Sequence, residues 1–264
     1  MTRLPVLREG TPEYLAEKVS GFSKLLLMTD YDGTLVPIRE RPELALPGAG
    51  LLKALSHLAG KSRVVTAVIT GRDTDDIKRM IPVGGIYLAG CHGAEILYPG
   101  GEKYTAVDEK KLTPVLEVVA GHARNCISGM EGFLVEKKGF AAALHFRLAD
   151  QAAASRVVGD FTSAVLPLAI KHRLEFITGK KVVEVRPGGI NKGEAVRHLM
   201  NLHPSFFPIY FGDDTTDEDA FRVVKEQGLP VLVSEHNKNT AASVRLRGPH
   251  DVLRFIQIIC EMKI

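Results

Sequence analysis

Two aspartates stand two positions apart in the segment Asp30-Tyr31-Asp32-Gly33-Thr34-Leu35, directly after a short apolar run. In an extended chain, side chains two positions apart point to the same side, so both carboxylates can face one ligand. Gly33 has no Cβ and lets the chain turn away from such a site. Asp and Gly are also favoured in plain turns, so the pattern fits either a site or a strand-end turn.

A second acidic segment, residues 213–219, carries five acids in seven positions, again after an apolar run. Carboxylates this close repel one another unless a cation or a lysine compensates their charge. Oxygen ligands of this kind suit Mg²⁺. We interpret Glu218 and Asp219 as the acidic first turn of a helix, whereas Asp213 and Asp214 precede that helix and are predicted to serve a site.

Two shorter segments carry groups that suit a phosphate dianion. Thr70, Gly71 and Arg72 follow a β-branched run, and Lys192 lies in Gly189-Ile190-Asn191-Lys192-Gly193. Together they offer a hydroxyl, an exposed backbone amide and an ammonium group. Each has an alternative interpretation, with Thr70 as a helix cap and Lys192 as a solvated first-turn residue.

The elements that must position these residues alternate between strands and helices. Buried apolar runs predict strands at 24–29, 63–69, 86–89, 208–211 and 230–233. Apolar periodicity and capping residues predict helices at 51–60, from 73 onward, at 192–201, 217–227 and 250–262. This alternation predicts an α/β fold with a parallel sheet and helices on both faces.

The pattern changes between residues 96 and 186. Here we predict helices at 109–126 and 150–166 and strands at 131–137, 140–147, 173–178 and 181–186. Paired neighbouring strands with short joins are typical of an antiparallel sheet. We therefore predict an inserted α+β unit, αββαββ, at 96–186, within a catalytic core formed by 1–95 and 187–264.

The composition excludes several classes of protein. Of the 264 residues, 45% are hydrophobic and 25% are charged, which excludes disorder, and a net charge of +3 does not indicate nucleic-acid binding. We expect no membrane span, because no stretch approaches about 20 apolar residues, and no leader segment. The three cysteines are far apart and fit a reducing compartment, so a cytoplasmic location is predicted.

The order of these motifs resembles the haloacid dehalogenase superfamily of phosphohydrolases. Asp-x-Asp-Gly-Thr is followed by Thr-Gly-Arg, by a lysine and by Gly-Asp-Asp-x-x-Asp. Cys-His-Gly-Ala-Glu (91–95) and Val-Glu-Val-Arg-Pro (183–187) narrow the resemblance to the trehalose-6-phosphate phosphatases. The resemblance covers residues 24–235 and implies a Rossmann-like core with an inserted cap domain of the C2 type.

The resemblance implies Mg²⁺-dependent hydrolysis of trehalose 6-phosphate through an aspartyl-phosphate. It assigns Asp30 as the nucleophile and Asp32 as the general acid/base, with Thr70 and Lys192 beside the phosphate and Gly71 and Arg72 at the substrate. The metal ligands it implies are the Asp30 carboxylate, the Asp32 backbone carbonyl and Asp213, with Asp214 nearby, while Asp217 orients Lys192. An ordinary aspartate is ionised at neutral pH, so we expect Asp30 to need no separate base.

Recognition of the sugar is expected from the inserted unit. The family's Glu-x-Lys pair and a later Glu map onto Glu136, Lys138 and Glu184, and His145 and Arg147 are further candidates. Carboxylates accept hydrogen bonds from adjacent hydroxyls of a sugar. Surface salt bridges are the alternative interpretation, and Lys137 leaves open which lysine reaches the sugar.

Two other functions stay open at this point. The same chemistry could serve mannosyl-3-phosphoglycerate or sucrose 6-phosphate, and the fold could serve a non-catalytic sugar-phosphate-sensing module. A trehalose-6-phosphate synthase is a candidate partner. The presence of every catalytic carboxylate and of Lys192 favours an enzyme.

Overall fold

A computed structural model describes residues 7–179 and 181–262. The chain divides into two compact units, which we call the core unit (up to Tyr104 and from Asn191) and the inserted unit (Thr105–Ile190). The segment 96–104, expected in the inserted unit, falls in the core unit. It does so because two short strands, Glu95–Leu97 and Lys103–Thr105, extend the core sheet.

The described residues form thirteen strands and eight α-helices. The strands are β1 (Arg8–Glu9), β2 (Leu25–Thr29), β3 (Val64–Ile69), β4 (Tyr87–Gly90), β5 (Glu95–Leu97), β6 (Lys103–Thr105), β7 (Leu134–Lys138), β8 (Ala141–His145), β9 (Leu174–Gly179), β10 (Val182–Pro187), β11 (Phe207–Gly212), β12 (Leu229–Val233) and β13 (Val244–Leu246). The helices are α1 (Pro12–Val19), α2 (Ala49–Ala59), α3 (Thr74–Met80), α4 (Glu109–Cys126), α5 (Gln151–His172), α6 (Lys192–Leu202), α7 (Glu218–Lys225) and α8 (Pro249–Glu261).

The core unit is built on one nine-stranded sheet in the order β1-β13-β12-β11-β2-β3-β4-β5-β6. The strands from β1 to β4 in that order are parallel, as predicted, whereas β5 runs antiparallel to β4. Strands β1, β5, β6 and β13 were not predicted, because two or three residues are too few to show a period.

Strand β2 lies at the centre of this sheet and is buried on both faces. Leu25 and Leu27 pack into one hydrophobic cluster with residues of α1, α2 and α8. Leu26 and Met28 pack into a second cluster with residues of α6 and α7. Because side chains alternate along a strand, burial on both faces requires an uninterrupted apolar run.

The inserted unit has a four-stranded antiparallel sheet in the order β7-β8-β10-β9, with α4 and α5 packed on it. Helix α5 was predicted to end before Pro167, and that prediction is wrong, because it continues to His172. Proline inside a helix removes one hydrogen bond and costs about 3 kcal/mol. Burial of Phe161, Val165 and Ala169 on one helix face offsets that cost.

Helix α5 is also the one described helix that is long and apolar enough to cross a membrane, judged by length and composition alone. No such segment was expected from the sequence. Its buried residues recur every three or four positions, and it contacts α4, β9 and β10. This spacing is typical of a helix that packs one face on a sheet.

Candidate active site

Asp30 directly follows the last residue of β2. In the sheet, β2 lies between β3, the next strand of this sheet along the chain, and β11, so the strand order reverses at β2. Thr29 pairs with Val68 of β3 and with Phe211 of β11, so three strands end at the same edge of the sheet. In open α/β sheets this reversal of strand order creates a crevice in which ligands bind. The edge brings Asp30 near the segments that begin at Thr70 and at Asp213.

A buried ion-pair triad lies at this edge. The Lys192 ammonium is 2.8 Å from Oδ1 of Asp30 and 2.8 Å from Oδ1 of Asp217. All three residues are buried, with exposed fractions of 5%, 2% and 0% for Asp30, Lys192 and Asp217. Lys192 is the first residue of α6, which Asn191 caps by accepting a hydrogen bond from the backbone N–H of Glu194. The solvated interpretation of Lys192 is therefore wrong.

Asp217 also holds the chain that follows β11. Its Oδ2 accepts hydrogen bonds from the backbone N–H groups of Asp213 and Asp214, both at 3.0 Å, and its Oδ1 accepts one from the Tyr210 hydroxyl at 2.6 Å. With Lys192 added, Asp217 accepts four hydrogen bonds, so its oxygens have little capacity left for another ligand. Tyr210 was not predicted to belong to the site, because its place in an apolar strand is typical of a core residue.

Asp30, Asp213 and Asp217 form a cluster whose carboxylate oxygens lie within 4.8 Å of one another. Gly33 has a φ of +84°, and a Cβ on it would lie 2.2 Å from Oδ2 of Asp213, so the cradle around Asp213 requires glycine. The Thr34 hydroxyl donates to Oδ1 of Asp213 at 3.3 Å. These contacts direct the Asp213 carboxylate toward Asp30.

Asp214 is not brought into this cluster. Its side chain is exposed and accepts a hydrogen bond from the backbone N–H of Thr215 at 2.7 Å, which caps a short 3₁₀ turn. The Asp214 carboxylate therefore caps this turn and does not belong to the cluster of Asp30, Asp213 and Asp217.

Burial governs the charges in the cluster. It raises the pKa of Asp30 above the usual range, against the opposing effect of Lys192, and it also raises the pKa of Asp213, with Asp217 adding to the rise. Burial by itself would lower the pKa of Lys192, but the carboxylates of Asp30 and Asp217 raise it, so the ammonium stays charged. The ionised form of Asp30 is therefore disfavoured by burial and favoured by the neighbouring Lys192 ammonium.

The Asp32 carboxylate is paired with Arg72. Oδ2 of Asp32 accepts from Nε of Arg72 at 2.7 Å and Oδ1 accepts from a terminal guanidinium nitrogen at 2.7 Å. Arg72 also bonds Asp76 and the Pro42 carbonyl, and its guanidinium lies over the Tyr31 ring at 5.2 Å. This fork occupies both oxygens of Asp32. Asp76 and Tyr31 were not predicted from the sequence as residues of the site.

Thr70 and Gly71 lie at the end of β3, one strand from Asp30. The Thr70 hydroxyl is buried and accepts a hydrogen bond from the backbone N–H of Arg72 at 3.2 Å. This hydroxyl keeps a proton that it can donate. Gly71 is covered by the His92 ring, which would lie 2.8 Å from a Cβ at position 71.

In the inserted unit, Glu136 and Glu184 share one row of the sheet. Glu136 of β7 and Glu184 of β10 both pair with Ala143 of β8, so the two carboxylates lie on the same face. His145, two residues along β8, hydrogen-bonds Oε2 of Glu136 at 2.9 Å. Glu184 lies 4.0 Å from Arg186.

The remaining residues proposed for sugar recognition are placed differently. Lys137 pairs with Glu117 of α4 at 2.5 Å, which puts its ammonium on the face that the helices cover. Arg147 is exposed, two residues beyond the end of β8. Lys138 ends β7, and its side chain lies outside the described part of the chain.

The chain resembles known proteins in sequence and in structure. Residues 28–250 match the trehalose-phosphatase family. A trehalose-phosphate phosphatase of Mycobacterium marinum is 36% identical over 236 residues, which cover 86% of this chain and 59% of that protein. The chain thus spans about three fifths of the length of the curated relatives it matches.

Solved structures support the same assignment. The C-terminal domain of Candida albicans trehalose-6-phosphate phosphatase superposes with a TM-score of 0.77 at 25% identity, covering 98% of this chain and 99% of that one. A haloacid dehalogenase-like hydrolase from Bacteroides thetaiotaomicron shares the fold at 16% identity, with a TM-score of 0.64 over 89% of this chain and 99% of that one. The predicted haloacid dehalogenase fold is confirmed, and the chain belongs to the trehalose-phosphatase family.

Proposed function

We propose that this protein hydrolyses trehalose 6-phosphate to trehalose and phosphate, with Asp30 as the nucleophile and Mg²⁺ as the cofactor. The observation that carries the proposal is the buried triad, in which Lys192 bridges Asp30 and Asp217 at 2.8 Å beside Asp213. Membership of the trehalose-phosphatase family supports the substrate.

In the first step, an Asp30 carboxylate oxygen attacks phosphorus in line with the sugar oxygen. The new oxygen–phosphorus bond forms as the bond to the sugar breaks, and the product is a phosphoryl group on Asp30. The Lys192 ammonium and the Thr70 hydroxyl offset the charge spread over the phosphoryl oxygens. Lys192 has a second task, since its positive charge lowers the pKa of the buried Asp30 and so favours the ionised form.

Asp32 handles the protons of both steps. In the first step it gives a proton to the departing sugar oxygen, and in the second step it takes one from the water that attacks the phosphoryl group, which releases phosphate and restores Asp30. Help of this kind is typically worth about 10²–10⁴ in rate. Asp32 must leave the Arg72 fork before it donates, because both of its oxygens are occupied there.

The residues at the acidic cluster fit a divalent cation. The buried Asp30 and Asp217 and the partly buried Asp213 share one ammonium, and Lys192 bonds only Asp30 and Asp217, so the charge of Asp213 remains to be offset. The Asp213 carboxylate occupies the space that a side chain at Gly33 would fill, so the absent Cβ lets this carboxylate lie close to the Asp30–Gly33 turn. Asp30, Asp213 and the Asp32 carbonyl would hold Mg²⁺, with Asp214 close by in the chain, whereas Asp217 is committed to other partners. Mg²⁺ supplies positive charge that offsets repulsion between carboxylate and phosphate.

Asp213→Asn should weaken Mg²⁺ binding by at least about tenfold, because a charged ligand becomes a neutral one. Isothermal titration calorimetry with Mg²⁺ and the rise of Tm with added Mg²⁺ measure this without any assay of activity. Asp219→Asn is the matched control, because Asp219 lies on α7 with its side chain half exposed and paired with Arg222. Equal Mg²⁺ affinity in wild type and Asp213→Asn would remove Asp213 from the metal site.

The row formed by Glu136 and Glu184 supports a sugar ligand. Two carboxylates on one face can accept hydrogen bonds from several hydroxyls of a disaccharide. We include Lys138, His145 and Arg147 in this sugar-recognition set, and Gly71 and Arg72 at the phosphate end. Lys137 is less suited than Lys138, because its ammonium is paired with Glu117 on the helix-covered face.

Glu184→Gln should lower kcat/KM for trehalose 6-phosphate by about 10- to 100-fold, the usual loss when a charged hydrogen-bond acceptor is removed. The same variant should leave p-nitrophenyl phosphate hydrolysis nearly unchanged, because that ester has no sugar. Glu117→Gln, on the other side of the inserted sheet, is the control. Equal losses on both substrates would show that Glu184 does not recognise the sugar.

The proposed function is tested by phosphate release across a panel of trehalose 6-phosphate, sucrose 6-phosphate and mannosyl-3-phosphoglycerate. We expect the highest kcat/KM for trehalose 6-phosphate. Preference for another member would keep the chemistry and change the substrate. Binding without release of phosphate would identify the non-catalytic sensing module.

We also propose a cytoplasmic location and a partnership with a trehalose-6-phosphate synthase. Three widely spaced cysteines support a reducing compartment. Both statements are tested by co-purification from cytoplasmic extract. A synthase should co-purify with this protein and should be absent when an unrelated protein is the bait.

A further inference from the structure

The turn Cys91-His92-Gly93, within the motif 91–95, has an unusual backbone. Three successive residues have positive φ, 49° at Cys91, 57° at His92 and 100° at Gly93. The left-handed region is unfavourable for residues that carry a Cβ. Such a conformation persists only where the surroundings impose it, and it is concentrated at functional sites.

This turn is bonded to the segment Thr70-Gly71-Arg72. The backbone N–H of His92 donates to the Thr70 carbonyl at 2.9 Å, and that of Cys91 donates to the Arg72 carbonyl at 2.8 Å. The Cys91 thiol donates to Oδ1 of Asp73 at 3.1 Å. The two hydrogen bonds bracket Gly71, so the turn determines where the Gly71 peptide lies.

The His92 imidazole packs directly on Gly71. A Cβ at Gly71 would lie 2.8 Å from both Cε1 and Nε2 of the ring, so the ring occupies the space of a side chain at that position. On its other side the turn meets α6, where a Cβ on Gly93 would lie 2.6 Å from Cβ of Ala195 and 3.5 Å from the Asn191 carbonyl. The turn therefore contacts both segments proposed to hold phosphate, because α6 begins at Lys192.

We propose that His92 is a positioning residue for the phosphoryl group and acts through Gly71. Its ring and its backbone N–H hold the Thr70-Gly71-Arg72 segment at a set distance from Lys192. This inference rests on the proposed function, since it requires phosphate to bind between Thr70 and Lys192. A purely structural turn would be served as well by glycine, which adopts positive φ without penalty.

The test compares His92→Gly and His92→Asn with wild type in the presence of Mg²⁺. His92→Gly should leave Tm unchanged or raise it by about 2 °C, because glycine relieves the left-handed penalty. The same variant should bind inorganic phosphate at least about tenfold more weakly and lose a similar factor in kcat/KM, because a small displacement of a binding group is costly. His92→Asn should lose less, because asparagine tolerates this conformation and retains a polar group.

Lys181→Gly is the matched control. Lys181 also has a positive φ of 63°, but it lies in the inserted unit between β9 and β10. It should gain stability with no change in the affinity for inorganic phosphate.

Calorimetry with inorganic phosphate and thermal unfolding together decide the inference. Unchanged phosphate affinity in His92→Gly overturns it, and so does a joint fall of Tm and affinity, which would indicate a structural role. Wild type that neither binds phosphate nor releases it from trehalose 6-phosphate would overturn the proposed function itself. Weaker phosphate binding with Tm preserved supports the role of His92.

Discussion

Asp30→Asn should lower kcat for phosphate release from trehalose 6-phosphate by at least about 10⁴-fold, because an amide oxygen is a poor nucleophile. The fold should survive, since the amide has nearly the same shape and its oxygen can still accept the hydrogen bond from Lys192. Circular dichroism and thermal unfolding check the fold, and steady-state phosphate release checks the loss. Asp219→Asn, a change at a half-exposed side chain of α7, should keep full activity.

The covalent step can be observed separately. Acid quenching of wild type during turnover should yield a phosphorylated peptide that contains Asp30, and the variant should yield none. Activity in Asp30→Asn above about a hundredth of wild type would place the nucleophile elsewhere.

Lys192→Met should have the second large effect, on stability as well as on rate. Removing one partner of a buried ion pair leaves uncompensated charge and costs about 3–5 kcal/mol in the free energy of unfolding. Here two buried carboxylates, Asp30 and Asp217, would lose their shared ammonium. Urea unfolding measures the loss of stability, and Lys53→Met, an exposed position on α2, is the control.

The double variant Lys192→Met with Asp217→Asn separates charge from structure. Neutralising Asp217 removes one of the unpaired carboxylates, so part of the lost free energy of unfolding should return. Activity should not return, because no ammonium remains beside Asp30. Additive losses of stability in the double variant would contradict the coupling that the geometry indicates.

The part of this fold that could be predicted follows from local patterns. The apolar run of β2 has to be buried on both faces, and that burial predicts a parallel sheet with helices on each side. Asp30, Thr70 and Asp213 directly follow such runs, and parallel strands that end together bring their next residues to one edge. Motif order therefore located the candidate site before any distance was known.

Local patterns predicted short or interrupted elements poorly. The strands β5 and β6 contain three residues each and moved the boundary of the inserted unit from 96 to 105. Helix α5 runs through Pro167 because its packed face stabilises it more than one lost hydrogen bond costs. In both cases tertiary packing overrode the local signal.

Which charged side chains contact each other could not be predicted from the sequence, because hydrophobic periodicity gives no distance between residues far apart in the chain. Asp217 lies 25 positions from Lys192, and Asp32 lies 40 positions from Arg72, yet each pair is in hydrogen-bond contact. The amino-acid sequence alone predicted that a set of acidic and basic side chains lies at one edge of a sheet. Their burial, which raises the pKa of Asp30 and makes its ionisation depend on Lys192, arises only when the strands and helices pack and exclude water from that edge.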